Sequence, residues 1–186
     1  QAVGACPAGN GSDVILLPLG TFSFSIQGKD ENNALTGDLD ITADVRILGS
    51  GAETTVIDGS AIDRVFQVIG ASVNVGLYHL TIQNGYSAGT TDQSGGGGIF
   101  NNGALTISNS VLRDNHTTRI GGGVDNTQSL IVINSTFYNN SAKDGGGIYN
   151  GGTANLNSVT FYNNTATETG GAFDNWLTAG LTNVTI

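Results

Sequence analysis

Two carboxylates set at a fixed spacing beside aromatic rings are the first residues in this sequence that could do chemistry. Phe100, Asp125, Tyr149 and Asp174 each occupy the same place in a recurring motif, 24 or 25 residues apart. If successive units stack as layers of parallel strands, Asp125 and Asp174 stand two layers apart, about 9.6 Å between backbones at ~4.8 Å per layer. Inverting glycosidases hold their two carboxyl groups about 6.5–9.5 Å apart, so the pair could serve as acid and base on a glycosidic bond. Any two residues two layers apart share this spacing, however, and the column reads more simply as a solvated sheet face or a sugar-binding strip. A second column of Arg113, Tyr138 and Tyr162 could pack tyrosine rings on sugars, or simply cover its sheet, since cross-strand aromatic pairs stabilise sheets. The candidate binding residues are therefore Phe100, Asp125, Tyr149, Asp174, Tyr138 and Tyr162.

No catalytic constellation, metal site or cofactor site is expected. The sequence holds no Asp-Asp pair, Gly-His-Gly or Arg-x-Lys signature and no calcium-binding Gly-Gly-x-Gly-x-Asp nonapeptide. Its two histidines, His79 and His116, lack metal-ligand spacing and read as surface or turn residues. The glycine triplets are not phosphate loops, because neither a helix nor a lysine follows them. Cys6 is the lone cysteine, so no disulfide closes within the chain. It reads first as a small buried residue, then as a half-cystine whose partner lay upstream, then as an intermolecular bridge, and last as a catalytic thiol. Sequons at Asn10, Asn115, Asn134, Asn139, Asn163 and Asn183 arise mostly from the repeat and matter only where the source glycosylates.

The elements that must position these residues follow from the repeat itself. Gly96-Gly97-Gly98-Ile99-Phe100-Asn101 recurs at 121–126, at 145–150 and, weakened, at 170–175; residue for residue the steps are 25, 24 and 25. A second block keeps the period: Asn109-Ser110-Val111-Leu112, then the blocks beginning at Asn134, Ser158 and Asn183. Each unit carries three short alternating segments, 148–150, 154–157 and 159–163 in the third, separated by Gly, Asn, Ser or Asp turns. No segment has an apolar stripe at helical spacing. A helical solenoid would need units of ~33–47 residues, and the Leu-x-x-Leu-x-Leu frame of leucine-rich repeats is absent. The expected fold is all-β: a single right-handed parallel β-helix, with coils of ~24–25 residues and three short strands per coil, over residues 1–186. Residues 1–94 form irregular coils and 95–186 the regular array.

Stacked coils imply ladders. Ile99/Val124/Ile148/Phe173, Ile107/Val132/Leu156/Leu181 and Leu112/Phe137/Phe161/Ile186 should point inward, with Thr106, Ile131, Asn155 and Thr182 facing out. Asn101/Asn126/Asn150/Asn175 and Asn115/Asn140/Asn164 should stack their amides at turns, where asparagine also tolerates left-handed backbone. Thr136, Thr160 and Thr185 make one outward threonine file, but Val111 breaks it and no second file accompanies it, which argues against an ice-binding face.

Composition agrees with such a coil. Glycine makes up 29 of 186 residues, and only 11% are charged, against typical values of ~7% and ~25%. With six Lys plus Arg against fifteen Asp plus Glu, the net charge is −9; no basic cluster exists to bind nucleic acid or an anionic membrane surface. No apolar run approaches the ~20 residues of a membrane-spanning helix. The sequence contains no Met and begins with Gln1, so a trimmed piece of a longer chain is expected.

Gly145-Gly146-Gly147-Ile148-Tyr149-Asn150, together with strands such as Asn134-Ser135-Thr136-Phe137, resembles the repeat of large right-handed parallel β-helix surface proteins of bacteria, the polymorphic outer-membrane-type and CSLREA-domain proteins. The blocks Asp13 to Phe22, Thr36 to Ile41, Ile47 to Gly51, Thr55 to Gly59 and Asp63 to Phe66 are similar to that family's blocks in the same order. The Cys-Ser-Leu-Arg-Glu-Ala motif that names the second group is absent. The resemblance implies that its cysteine is a missing partner for Cys6. It also implies secretion and the cell surface, but no single activity. The function expected is an extracellular structural or adhesive β-helix, self-associating head to tail through open ends; the alternative is a polysaccharide-binding or polysaccharide-cleaving β-helix, with surface polysaccharide as partner.

Overall fold

The computed structural model describes residues 13–28, 35–89 and 95–186. Cys6, the Asn10 sequon and residues 29–34 and 90–94 lie outside the described residues. Every regular element described is a strand, and every pairing between strands is parallel. The chain winds as a parallel β-solenoid, as the alternating segments and fixed repeat predict.

Three ladders run the length of the molecule. The first stacks Leu39–Ile41, the start of Phe66–Tyr78, the start of Ile99–Ser108, Val124–Asn126, Ile148–Asn150 and Phe173–Asn175. The second stacks Asp13–Leu16, Val45–Leu48, the ends of Phe66–Tyr78 and Ile99–Ser108, the first halves of Ser129–Tyr138 and Thr153–Tyr162, and Thr178–Thr182. The third stacks Gly20–Ser23, Thr55–Asp58, Thr81–Gln83, Val111–Arg113 and the second halves of Ser129–Tyr138 and Thr153–Tyr162. A fourth, shorter ladder is additional to the three expected: Tyr86–Ser87, His116–Thr117, Ser141–Asp144 and Thr165–Thr169 pair in sequence. Its residues are Ser, Thr and His with little aliphatic alternation, so the strand signal there is weak.

Register turns the sequence period into packing. Ile99 pairs with Val124, Val124 with Ile148 and Ile148 with Phe173. The inward aliphatics form one core running from Ile41 to Phe161, and Phe137 stacks on Phe161 with ring centroids 5.2 Å apart. On the last rungs of their ladders Leu181 is 50% and Ile186 79% exposed. One outward column differs from expectation. Asn155 pairs with Gly180, while Thr182 pairs with Asn157 one column over.

Asparagine and glycine shape the corners. The Asn101, Asn126, Asn150 and Asn175 amides form a chain in which each Nδ2 donates to the next Oδ1 at 2.7 Å. Asn115, Asn140 and Asn164 repeat this at 3.0 and 2.9 Å. These stacked asparagines are not the left-handed ones. Positive φ falls on Asn109, Asn134, Ser158 and Asn183 at one corner and on Asn84, Asp114, Asn139 and Asn163 at another. The division is physical: a left-handed residue turns the chain, while the inward amide needs its side chain aimed along the stack.

Gly121 leads its triplet at φ +70°, where a Cβ is strained. Gly123 instead serves close approach, since a Cβ there would sit 2.5 Å from the Gly147 carbonyl oxygen and 3.0 Å from the Phe137 ring. Gly123→Ala is accordingly expected to lower unfolding free energy by about 1–3 kcal/mol, the cost of overpacking a tight core, read from the midpoint of urea unfolding.

Candidate functional site

The first ladder presents the expected column in register: Asp40, Gln67, Phe100, Asp125, Tyr149 and Asp174 occupy successive rungs of one outer face. The face is not the solvated surface expected. Phe100 is 5% exposed and Asp125 is 0% exposed. Gly95 is packed against the Asp125 carboxylate, and Ile120 lies beside it, so the chain folds back over this part of the sheet. Tyr149 and Asp174, farther along, remain half-buried.

Arg64 organises the cover. Its Nε lies 2.8 Å from Asp38 Oδ2, with both side chains almost fully buried. Its Nη1 donates to the Gly95 carbonyl at 3.1 Å, and its guanidinium sits 5.7 Å from the Phe100 ring centroid. Asp63 accepts the Arg64 backbone N–H at 2.8 Å. One guanidinium thus pins the neighbouring coil, the overlying backbone and an aromatic ring together. Sequence reasoning missed this cluster. The signal available was an Asp63-Arg64 pair in a chain with only six cationic residues.

The electrostatics follow from burial. Both Asp125 oxygens are buried without a hydrogen-bond partner. Desolvation pushes Asp125 up to about 8, against the opposing pull of Arg64 and Arg119. Desolvation also raises Asp38 to about 7; the Arg64 contact lowers it, but burial outweighs the ion pair. Tyr149 is held above its usual range by desolvation and then by the charges of Asp125, Asp174 and Asp144. Thr169 Oγ1 donates to Asp144 at 2.9 Å and also contacts the Asp174 carboxylate.

This geometry changes the chemical reading of the pair. Tyr149 stands on the rung between Asp125 and Asp174, and Asp125 lies under backbone. A general acid and base must both reach a shared substrate, and the Asp125 side chain is fully buried. The ring contact of Tyr149 with Trp176, centroids 6.4 Å apart, instead makes an exposed aromatic corner at the end of the column.

Tyr138 and Tyr162 lie on a different face, the outside of the third ladder, in a column with Gln83 and Arg113. The Arg113 guanidinium is 6.0 Å from the Tyr138 ring centroid and bonds Asp114 at 2.9 Å, while Tyr162 is 69% exposed. Thr136, Thr160 and Thr185 run alongside in the file expected, preceded by Val111. The six candidate residues therefore divide between two surfaces rather than converging on one.

A further pairing, which no motif in the sequence marks, lies on the fourth ladder. His116 Nδ1 is 2.7 Å from Ser141 Oγ, and the His116 ring stacks on Tyr86 at 5.5 Å. The backbone N–H of Ser141 already donates to the Asn115 carbonyl at 2.9 Å, so that donor is not free to stabilise an oxyanion beside the hydroxyl. Among the described residues, no group of three or more His, Cys, Asp or Glu is placed to hold a metal ion, and no helix is long and apolar enough to cross a membrane.

Comparison with known proteins places the repeat. Residues 134–151 and 158–175 match the Chlamydia polymorphic membrane protein repeat, in agreement with the polymorphic outer-membrane-type resemblance read from the sequence. The two matches start 24 residues apart, and each runs from a left-handed residue, Asn134 or Ser158, through Gly145-Gly146-Gly147 or Gly170-Gly171-Ala172 and past the Tyr149 or Asp174 rung of the first ladder. No curated protein and no solved structure matches the chain.

Proposed function

We propose that this chain, two of whose coils match the polymorphic membrane protein repeat, is the extended solenoid of a bacterial cell-surface protein and works there as an adhesive scaffold. The observation that supports this reading most is the repeat match on two successive coils, in register with the parallel ladders. The architecture suits the task. A continuous core with stacked amide corners gives a stiff rod, and a rod offers outward columns repeated at ~4.8 Å for multivalent contact. The net charge of −9 keeps such a rod soluble.

Antibodies against the solenoid are expected to label intact source cells, and beads coated with the chain are expected to adhere to cultured cell monolayers above albumin-coated beads. Labelling only after permeabilisation, or retention no better than albumin, would overturn the reading. Self-association belongs to the same proposal. Coil-to-coil pairing is made through strand backbone, and strand backbone at an end of such a stack is a template for pairing with a second copy. Size-exclusion chromatography and negative-stain imaging are expected to show end-to-end stacks that lengthen with concentration; a single monomer peak at millimolar concentration would exclude them.

A further inference from the structure

The outside of the second ladder holds a groove that neither the repeat match nor the expected site residues include. Three outward columns cross there: Asp44–Asn74–Ala104, Arg46–Gly76–Thr106 and Leu48–Tyr78–Ser108. Gly76 and Ala104 are the small residues in the middle. They leave a depression of about 400 Å³ lined by Asp44, Arg46, Asn74, Tyr78, Thr106 and Ile131, a volume within the ~300–1,000 Å³ range of small-molecule sites. The Tyr78 side chain lies down over Gly76, its hydroxyl oxygen 2.6 Å from where a Cβ would stand. A tyrosine standing off the sheet would leave the hollow without a wall; a tyrosine lying on it supplies an aromatic surface.

The polar groups are of both signs and mostly available. Asp44 Oδ1 accepts the Asn74 backbone N–H at 2.8 Å, and both Asp44 oxygens lie 3.4 Å from Asn74 Nδ2. This orients the carboxylate and leaves lone pairs toward the groove. Arg46 is exposed, and its side chain makes no hydrogen bond or ion pair with the described residues. Its fork of N–H donors matches two adjacent hydroxyl oxygens as well as it matches a carboxylate. Ile131, 39% exposed beside Thr106, borders the hollow and adds an apolar contact.

We propose that this groove binds a terminal hexopyranose of a neutral glycan, a proposal that rests on the adhesive-scaffold reading and names its ligand. The chemistry selects the class. A pyranose has an apolar C–H face for the Tyr78 ring and Ile131, and vicinal hydroxyls that both accept from Arg46 and donate to Asp44. Charge selects the neutral member: Asp44 balances Arg46 within the groove, and the chain around it carries −9, which repels sialylated or sulfated glycans.

The test is a glycan array with neutral, sialylated and sulfated glycans, followed by titration of the best neutral ligand. Binding of neutral hexose-terminated glycans is expected, with Arg46→Ala and Tyr78→Ala each weakening it at least tenfold. Thr153→Ala, on the same face three rungs from Asn74, should leave it unchanged. Arg46 is solvent-exposed, so its truncation spares the core, and Tyr78→Phe, which keeps the ring, should weaken binding less than Tyr78→Ala. Binding confined to anionic glycans, binding indifferent to both truncations, or no glycan bound would each overturn the groove. Bead adhesion that persists without glycan binding would sink this proposal and leave the scaffold reading standing. Glycan binding without bead adhesion would do the reverse.

Discussion

Asn126→Asp is expected to destabilise the solenoid by about 3 kcal/mol or more at neutral pH, the scale for leaving a charge buried and uncompensated, and far less at pH 3. Asn126 is fully buried. Its Nδ2 donates to Asn150 Oδ1 at 2.7 Å and to the Thr153 carbonyl at 3.2 Å, while its Oδ1 accepts from Asn101. Aspartate has the same shape but no donor, so an oxygen would face the Asn150 oxygen across the former hydrogen bond, carrying a charge in an apolar interior. Burial raises the folded-state pKa of such a carboxyl above its unfolded value of about 3.9. The unfolded chain therefore ionises first as pH rises, and the penalty grows from about pH 4 upward until the folded carboxyl also ionises. Protonation restores an O–H donor at low pH. Chemical denaturation of variant and parent at pH 3 and pH 7 reads the difference. An equal penalty at both values would mean that shape, not the amide chain, holds the corner.

The second large effect concerns Asp125. Its folded pKa stands at about 8 against an ordinary 3.8, through desolvation that Arg64 and Arg119 only partly offset. The sign follows from the protons bound. Between about pH 4 and pH 8 the folded protein keeps a proton on Asp125 that the unfolded chain has released. Asp125 thus imposes no penalty below about pH 4, lowers stability progressively as pH rises toward 8, and levels off above. Every tenfold difference in proton affinity between the folded and unfolded chain is worth about 1.4 kcal/mol, so the full penalty is several kcal/mol. Asp125→Asn removes the ionisation while keeping the shape. The variant is expected to match the parent near pH 4 and exceed it by several kcal/mol at pH 8. Asp38 titrates in an overlapping window, raised to about 7, but is present in both proteins, so the difference between them isolates Asp125. A variant-minus-parent difference that stays flat with pH would show that Asp125 is ionised in the fold.

Much of this molecule can be read directly from its residues. A parallel coil maps a sequence period onto a spatial one, so the recurrence of Ile99, Val124, Ile148 and Phe173 is already a ladder. The same mapping places the amide stacks and the threonine file correctly, because both depend on register alone. Where the residues break period, the pattern is a weaker guide. Polar character puts Thr182 in a column that Gly180 occupies, because in the last unit the strand, not the polar residues, keeps the register. The fourth ladder is hard to see in the sequence because its Ser, Thr and His residues show no apolar alternation for a pattern to register.

Burial of the candidate site has a different origin. Asp125 repeats with Tyr149 and Asp174, and period alone gives all three the same surface. What covers Asp125 does not repeat: Arg64 comes from an irregular earlier coil and Gly95 from the edge of the array. A local pattern carries no information about a segment that returns from thirty or more residues away. The groove beside Gly76 arises in the same way, since its hollow exists only where Gly76 and Ala104 fall beside the lying ring of Tyr78. Periodicity and strand alternation are enough to dictate the solenoid, its inward and outward columns and the repeat it carries. Which outward residues meet solvent is settled only when the chain is folded, because that depends on non-periodic cover whose position is set by packing and by one buried guanidinium.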